Sequence, residues 1–298
     1  MKVGIVGLGL IGGSLGLDLR SQGITVLGVS RYAATCEVAK NRGAVDEAST
    51  NVAGLKRADI IFICTPLEAI APTIEQLIPF LSPHTILTDV GSVKQSIVAT
   101  CSSLWPRFVG GHPMAGTAQQ GIKAAQSGLF AGAPYVLTPG EKTPPEVVEG
   151  VESIARSLGA RVYVCSPELH DRAVAFVSHL PLFVSAGLIQ TCLEETASDE
   201  IHWAQQLASS GFRDTSRVGG GNPELGVAIA RHNRSALLRA LSHYRQTCDH
   251  LLECIEGENW QGLEEILIST RAARSAFLRK DKQSENRSED ASSLRNNE

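Results

Sequence analysis

Three groups of residues in this sequence have the types and spacing that chemistry requires. The first is the glycine pattern Gly7-Leu8-Gly9-Leu10-Ile11-Gly12, set between the apolar run Lys2 to Val6 and a helical stretch. Strand, glycine turn and helix in that order make a dinucleotide cradle. One glycine allows the tight turn, one lets the backbone approach a pyrophosphate, and one lets helix pack on strand. The pyrophosphate is expected at the helix N-terminus, where unpaired N–H groups and the helix dipole favour an anion. The next apolar run, Ile24 to Val29, ends in Ser30-Arg31. An acid at this place would hold a ribose 2′-hydroxyl. A hydroxyl and a guanidinium instead suit a 2′-phosphate, and Thr35 adds a second hydroxyl at the next helix start. The expected cofactor is therefore NADP. In the competing reading, Arg31 is a solvated charge and the acid lies elsewhere, Glu37 being nearest.

The second group lies after later strands. Cys64-Thr65-Pro66 ends one apolar run, and Asp89-Val90-Gly91-Ser92-Val93-Lys94 follows another. In an open parallel sheet, ligands gather beyond the carboxyl ends of the strands. Cys64, Thr65, Pro66 and Gly91 are accordingly candidates to border the cofactor. A strand-ending turn with a proline at a helix start explains the first segment equally well. Ser92 is placed as a helix N-cap, a role that leaves it facing the ligand crevice as well. Lys94 reads as a solvated charge.

The third group is built on histidine and arginine. Gly110-Gly111-His112-Pro113-Met114-Ala115-Gly116-Thr117 holds a histidine on a constrained backbone, which suits acid–base chemistry. Ser178-His179-Leu180-Pro181 sets a second histidine in an apolar stretch, either a satisfied core residue or a ligand contact. Phe212-Arg213-Asp214-Thr215-Ser216-Arg217 puts Arg213 and Arg217 on one face if helical. Two such arginines suit a carboxylate, and an Asp214–arginine pair is the bland alternative.

The elements that must position these residues follow from periodicity. Lys2–Val6, Thr25–Val29, Asp59–Cys64 and Thr85–Asp89 read as strands buried on both faces, alternating with helices at Gly13–Ser21, Ala33–Asn41, Leu67–Phe80 and Val93–Thr100. Val109, Tyr135–Leu137 and Arg161–Cys165 suggest further strands, with a helix at Pro144–Leu158. The expected fold class is α/β: a parallel, doubly wound Rossmann domain over residues 1–165. Helical patterns then take over at Leu169–Cys192, Asp199–Ala208, Pro223–Tyr244 continuing to Glu256, and Gln261–Leu278. Residues 166–279 are expected to form an all-helical substrate and dimerisation domain, whose apolar content suggests a second subunit. Residues 280–298 read as a disordered polar tail.

Of the 298 residues, 43% are hydrophobic and 19% charged, with net charge −4. This argues for a soluble globular protein and against nucleic-acid or membrane-surface partners. The seven cysteines are scattered with no C-x-x-C pair, so reduced thiols in a cytoplasm and no metal site are expected. No secretory signal and no bilayer-spanning stretch are expected.

Together these motifs resemble the prephenate/arogenate dehydrogenase family of tyrosine biosynthesis, from Met1 to about Phe277. The resemblance rests on Gly7–Gly12, Asp89–Lys94, Gly111–Thr117, Ser178–Leu182, Phe212–Arg217 and Asn222–Leu225. It implies an oxidative decarboxylation, with hydride leaving a cyclohexadienol carbon and the ring carboxylate leaving as CO₂. It further implies that His112 takes the hydroxyl proton, that Ser92 orients the same group, that Arg217 binds a carboxylate and that His179 contacts the substrate. Arg213 and Asp214 would support Arg217, and Thr117 would line the pocket. The likeness is greatest to the NADP-linked, arogenate-using members. Two departures stand out: Ala118 where many prephenate-using members carry an acid, and Gly226 where many carry tryptophan. Prephenate as substrate, an NADP-linked hydroxyacid or imine oxidoreductase, and an NADP-binding redox sensor are the competing readings.

Overall fold

The computed structural model describes residues 1–117, 119–194 and 198–278. The expected tail and Ala118 lie outside the described residues. The first half alternates strand and helix: β1 (Lys2–Val6), α1 (Leu10–Ser21), β2 (Thr25–Val29), α2 (Ala33–Asn41), β3 (Glu47–Ser49), β4 (Ile60–Ile63), α3 (Ile70–Leu77), β5 (Ile86–Asp89), α4 (Gln95–Leu104), β6 (Phe108–Pro113), β7 (Pro134–Pro139), α5 (Pro145–Ser157) and β8 (Arg161–Val164).

These strands form one eight-stranded sheet in the order β3-β2-β1-β4-β5-β6-β7-β8. Alternate residues along each strand enter two separate cores. Val3, Ile5, Val26, Ile60 and Phe62 pack under Leu15 and Leu19 of α1 and Val147, Val151 and Ile154 of α5. Val6, Leu27, Ile61, Ile63 and Leu87 pack under Ile70 and Ile74 of α3 and Ile97 and Val98 of α4. Apolar residues on both faces are what a strand covered on both sides requires.

Two details differ from the sequence reading. The short edge strand β3 was not anticipated, since three residues with Glu47 exposed carry little apolar signal. The sheet is also not wholly parallel, because β7 runs antiparallel to β6. Among the described residues the connection between them contains a short 3-10 turn, Ile122–Ala124, and no crossover helix of the kind a parallel pair needs. That connection is docked on α1: Ser14 Oγ accepts the Gln126 N–H at 3.0 Å and Asp18 Oδ1 accepts that of Gly128 at 2.8 Å.

The rest is helical: α6 (Pro167–Val174), a five-residue π-helical turn (Ala175–His179), α7 (Leu180–Glu194), α8 (Ser198–Leu207), α9 (Ser210–Ser216), α10 (Pro223–His232), α11 (Arg234–Glu256) and α12 (Trp260–Phe277). The described chain falls into two compact units, residues 1–240 and residues from 241 onward. The first unit contains the whole sheet and the helices through α10. Within it, Ala228 of α10 joins the core beneath α3 and α4. The expected single helix from Pro223 to Glu256 is interrupted at Asn233, which has φ −115° and ψ 33°.

Pro167–Glu194 forms 28 residues of continuous helical structure. It is long and apolar enough, by length and composition alone, to cross a membrane, contrary to expectation. Charged residues at its start and Pro181 within it mask the run in sequence. Asp171 and His179 on it are buried and hydrogen-bonded to residues of the first unit, while 22% of its apolar window is buried in the single chain.

Candidate active site

The glycine turn has the shape a dinucleotide needs. Gly7 sits at φ +97°, and a side chain there would strike the Cys64 carbonyl oxygen at 2.4 Å. At Gly12 a Cβ would meet the Gly7 carbonyl oxygen at 2.1 Å, so only glycine lets α1 lie this close to β1. Nothing lies within 4 Å of a Cβ built on Gly9, the N-cap of α1, and no side chain caps that helix end. The first N–H groups of α1 are thus left for an anion. Leu10 and Ile11 form its first turn, and Leu8 is buried.

After β2, Ser30 is buried and its Oγ accepts the Tyr32 N–H at 3.3 Å. Arg31 is exposed and lies over the Tyr32 ring at 4.8 Å. Thr35 is in the first turn of α2. The neighbouring acids are engaged elsewhere: Glu37 with Lys40 at 2.7 Å, Asp46 with Arg20 at 2.9 Å, and Glu47 with Arg57 at 2.7 Å.

Behind the turn, Cys64 and Thr65 directly follow β4, with the Cys64 N–H donating to the Val6 carbonyl at 2.7 Å. Pro66 is exposed at the start of the next 3-10 turn. Thr65 Oγ1 and Ser92 Oγ are both buried without a protein partner among the described residues. A buried hydroxyl with no partner costs about 1–3 kcal/mol, which a ligand or ordered water would offset.

At the end of β5 the structure corrects two expectations. Lys94 is not solvated but fully buried, and its Nζ pairs with Asp89 and donates to the Gly111 carbonyl at 2.8 Å. Asp89 in turn accepts the Gly111 N–H at 3.1 Å and the Gly91 N–H at 2.8 Å. One buried ion pair therefore grips both sides of the residue before His112 and the residue before Ser92. Nor is Ser92 the cap of α4, which begins three residues later at Gln95. The cap comes from α6: Asp171 accepts the N–H groups of Lys94 at 2.7 Å and Gln95 at 2.9 Å. A carboxylate is well placed there, at the positive end of a helix.

His112 lies in β6 and is buried. Its Nδ1 is 2.8 Å from His170 Nε2, and His170 Nδ1 is 2.7 Å from Asp171 Oδ1. Burial holds the His112 imidazole well below its ordinary pKa, and electrostatic coupling to His170, Lys94 and His179 acts in the same direction. His179 is pushed down to about 4, chiefly by burial. Both rings are neutral near pH 7, as a proton acceptor must be.

His179 ends the π-helical turn. On a regular helix of 3.6 residues per turn, residues nine apart face opposite sides. The wide turn takes up part of that rotation, and both His170 and His179 are buried. Pro181 supplies no N–H to the preceding turn, and such a place accommodates a π turn. His179 Nδ1 is 3.0 Å from Asn233 Nδ2, which also donates to the Asp171 carbonyl at 2.8 Å. The Nε2 of His179 is buried without a protein partner among the described residues.

The structure thus gathers Ser92, His112 and His179 near one edge of the sheet, together with Asp89 and Lys94, whose motif was noted but with Lys94 read as solvated, and with His170, Asp171 and Asn233, which the sequence reading did not single out. His170-Asp171 at the first turn of the helix after the last strand was the available signal; nothing near Asn233 marked it. Among the described residues no hydrogen bond or ion pair links Arg213, Asp214 or Arg217 to this cluster. Arg213 and Asp214 are exposed and 3.6 Å apart, and Arg217 is exposed at the end of α9. That segment is tied to α7 by Ser185 Oγ, which donates to the Thr215 carbonyl at 2.7 Å and accepts the Gly219 N–H at 2.9 Å. Thr117 is exposed and, among the described residues, bonds only to Gln119.

A Rossmann-type nucleotide fold with a glycine cradle and a buried, neutral histidine at the carboxyl edge of the same sheet fits an oxidoreductase of the dehydrogenase class. Comparison with known proteins narrows the class. The family model for the prephenate dehydrogenase nucleotide-binding domain matches residues 15–164, and that for its dimerization domain matches residues 166–269. Prephenate dehydrogenase of Bacillus subtilis is 33% identical over 267 residues, covering 87% of this chain and 71% of that protein. The crystal structure of Synechocystis arogenate dehydrogenase is 53% identical, covers 93% of this chain and all of that one, and superposes with TM-score 0.83. Prephenate dehydrogenase from A. aeolicus, solved in complex with hydroxyphenyl propionate and NAD+, is 29% identical, covers 93% of this chain and 98% of that one, and gives TM-score 0.87. The chain belongs to the prephenate/arogenate dehydrogenase family, enzymes of tyrosine biosynthesis.

Proposed function

We propose that this enzyme converts L-arogenate to L-tyrosine and CO₂ with NADP as hydride acceptor. The observation that carries the reading is the buried, neutral His112 at the carboxyl edge of the sheet, held by Gly111 on one side and His170 on the other. NADP is favoured by Ser30 and Arg31 after β2 and by the pairing of the neighbouring acids with cations. Arogenate is favoured by the 53% identity to the Synechocystis protein. The pyrophosphate would lie against Gly7 to Gly12 and the first N–H groups of α1, bordered by Cys64, Thr65, Pro66 and Gly91. Ser30, Arg31 and Thr35 would hold the 2′-phosphate. The nicotinamide held there would supply the acceptor for the hydride lost from the carbinol carbon.

The protein's own groups handle the proton and the charge. His112 Nε2 accepts the ring hydroxyl proton as the carbon becomes a carbonyl, and Ser92 Oγ orients that oxygen. Loss of CO₂ leaves its electron pair in the ring, which aromatises, and the phenolic oxygen regains the proton. His179 and Arg217 bind substrate polar groups, with Arg213, Asp214 and Thr117 supporting that side. Residues 1–165 are taken as the cofactor domain and 166–279 as the substrate and dimerisation domain of a soluble, cytoplasmic homodimer. Trp203 and Leu207 on α8, and Leu267 and Ile268 on α12, are exposed in a single chain, as a subunit contact would require.

Reduced-cofactor absorbance, followed with arogenate and with prephenate, each with NADP and with NAD, tests the reading directly. Arogenate with NADP is expected to give the highest kcat/KM. Equal values for the two substrates would remove the arogenate preference, and equal values for the two cofactors would remove the role of Ser30 and Arg31.

A further inference from the structure

Asp171 stands where two chains of hydrogen bonds meet. Its side chain leads through His170 to His112, and its main-chain carbonyl leads through Asn233 to His179. We propose that Asp171, His170 and Asn233 are positioning residues that hold the two site histidines in opposite neutral tautomers, His112 with a bare Nε2 and His179 with an N–H at Nε2. The proposal rests on the reading of His112 as the proton acceptor, and it adds what makes it one.

The direction of each bond follows from which groups can only accept. Asp171 takes the N–H groups of Lys94 and Gln95 at the head of α4, so its carboxylate is an acceptor on every side. His170 must therefore donate from Nδ1, and with that single ring proton, the premise of the proposal, it offers a lone pair at Nε2. That lone pair accepts the Nδ1–H of His112 at 2.8 Å, which leaves His112 Nε2 without a proton. Carboxylates and carbonyls that fix the far nitrogen of a working imidazole do so in metal sites and hydrolases alike. Here an extra imidazole is interposed.

On the second branch, the Asp171 carbonyl can only accept. It thereby fixes the amide of Asn233 with Nδ2 inward. The other N–H of the same nitrogen meets His179 Nδ1, which must accept, so the proton of His179 sits on Nε2. That Nε2 is buried with no protein hydrogen bond among the described residues, and the Ser92 main chain lies beside the same ring as an acceptor a substrate oxygen would have to outcompete. One residue thus prepares an acceptor for a hydroxyl proton and a donor for a substrate oxygen. When His112 takes its proton, the new charge is shared through His170 toward the Asp171 carboxylate. This offsets the penalty that burial imposes on the imidazolium.

The test uses full-length protein labelled with 15N at histidine. Long-range 1H–15N correlation spectra at pH 7.5 read the tautomer of each ring, with signals assigned by their loss in His112→Gln and His179→Gln. The wild-type protein is expected to show Nδ1–H for His112 and Nε2–H for His179. His170→Phe is expected to release His112 into a tautomer mixture and lower kcat by about 10–100-fold, with KM nearly unchanged. His170→Gln keeps a carbonyl to accept from Nδ1, and should restore the His112 tautomer and part of kcat. Asn233→Leu should release His179 alone. A wild-type His112 protonated at Nε2 would overturn the proposal, whether or not any variant folds. So would His170→Phe with unchanged tautomer and kcat. Failure of the broader reading looks different: His112→Gln would retain turnover while the wild-type tautomers stood.

Discussion

The cofactor cradle and the histidine cluster occupy the same edge of one sheet and are built in opposite ways. The cradle is made of backbone. Its working parts are the absence of side chains at Gly7, Gly9 and Gly12 and the bare end of α1, all within six residues. The cluster is made of side chains from β5, β6, α6, the π turn and the break before α11, joined by hydrogen bonds between residues up to 77 apart in sequence. A backbone site works wherever the local turn forms. A side-chain site works only once distant segments are packed, and it buries charge to do so. Injury to the two halves should therefore differ in kind.

The largest effect is expected at His112. His112→Ala removes the proposed proton acceptor and should lower kcat by about 10²–10⁴-fold, the usual share of general acid–base catalysis. NADP affinity, read by fluorescence titration, should stay near wild type because the cradle is intact. Equal loss of both would show that the two halves are one structure. Next comes Lys94→Met. It leaves the Asp89 carboxylate buried without its cation, a change that costs about 3–5 kcal/mol. Urea unfolding should show this loss in full. The exposed Arg31, by contrast, should alter stability hardly at all when replaced.

The same contrast decides how much could be read from sequence. The glycine turn was legible because its signal is local: the glycines and the flanking apolar runs lie within one strand–helix–strand segment. The His112 loop was legible because its unusual residues are contiguous. The supporting residues were not. Lys94 looks like any lysine after a strand, and only the fold shows that Asp89 and the Gly111 carbonyl enclose it. Ser92 was expected to cap α4, whereas the cap is Asp171, 76 residues beyond Gln95. Asn233 falls within a pattern that reads as continuous helix, and the break there is what aims its amide at His179. Arg213 and Asp214, expected to support a substrate-binding arginine, are an exposed pair in the single chain.

A smaller effect should follow from editing the cradle's specificity. Ser30→Ala combined with Arg31→Asp should shift the NADP-to-NAD preference in kcat/KM by about 10–100-fold, the worth of one charge-assisted contact of about 1.5–3 kcal/mol. The pH dependence of kcat should not move, because the cluster is untouched. A displaced pH profile would mean that Arg31 reaches the histidines electrostatically and that the halves are less separate than their construction implies.

The smallest effect separates the halves by stability alone. His112 and His179 are both depressed in the folded protein, His179 to about 4, from an ordinary value near 6.5. Between those values the unfolded chain binds protons that the folded chain refuses. Stability is therefore fully present above about pH 6.5 and is lost as pH falls toward the folded values. At pH 5.5 His179 alone should account for about 1 kcal/mol, a fall in Tm of about 2–4 °C for a domain of this size. Melting curves at pH 7.5 and 5.5 for wild type and His179→Gln measure its share. The variant should lose part of the acid sensitivity, while Arg31→Ala in the cradle should keep all of it. If His179→Gln melts with undiminished acid sensitivity, His179 is not the group that refuses the proton, and the acid-labile element lies outside its branch of the cluster.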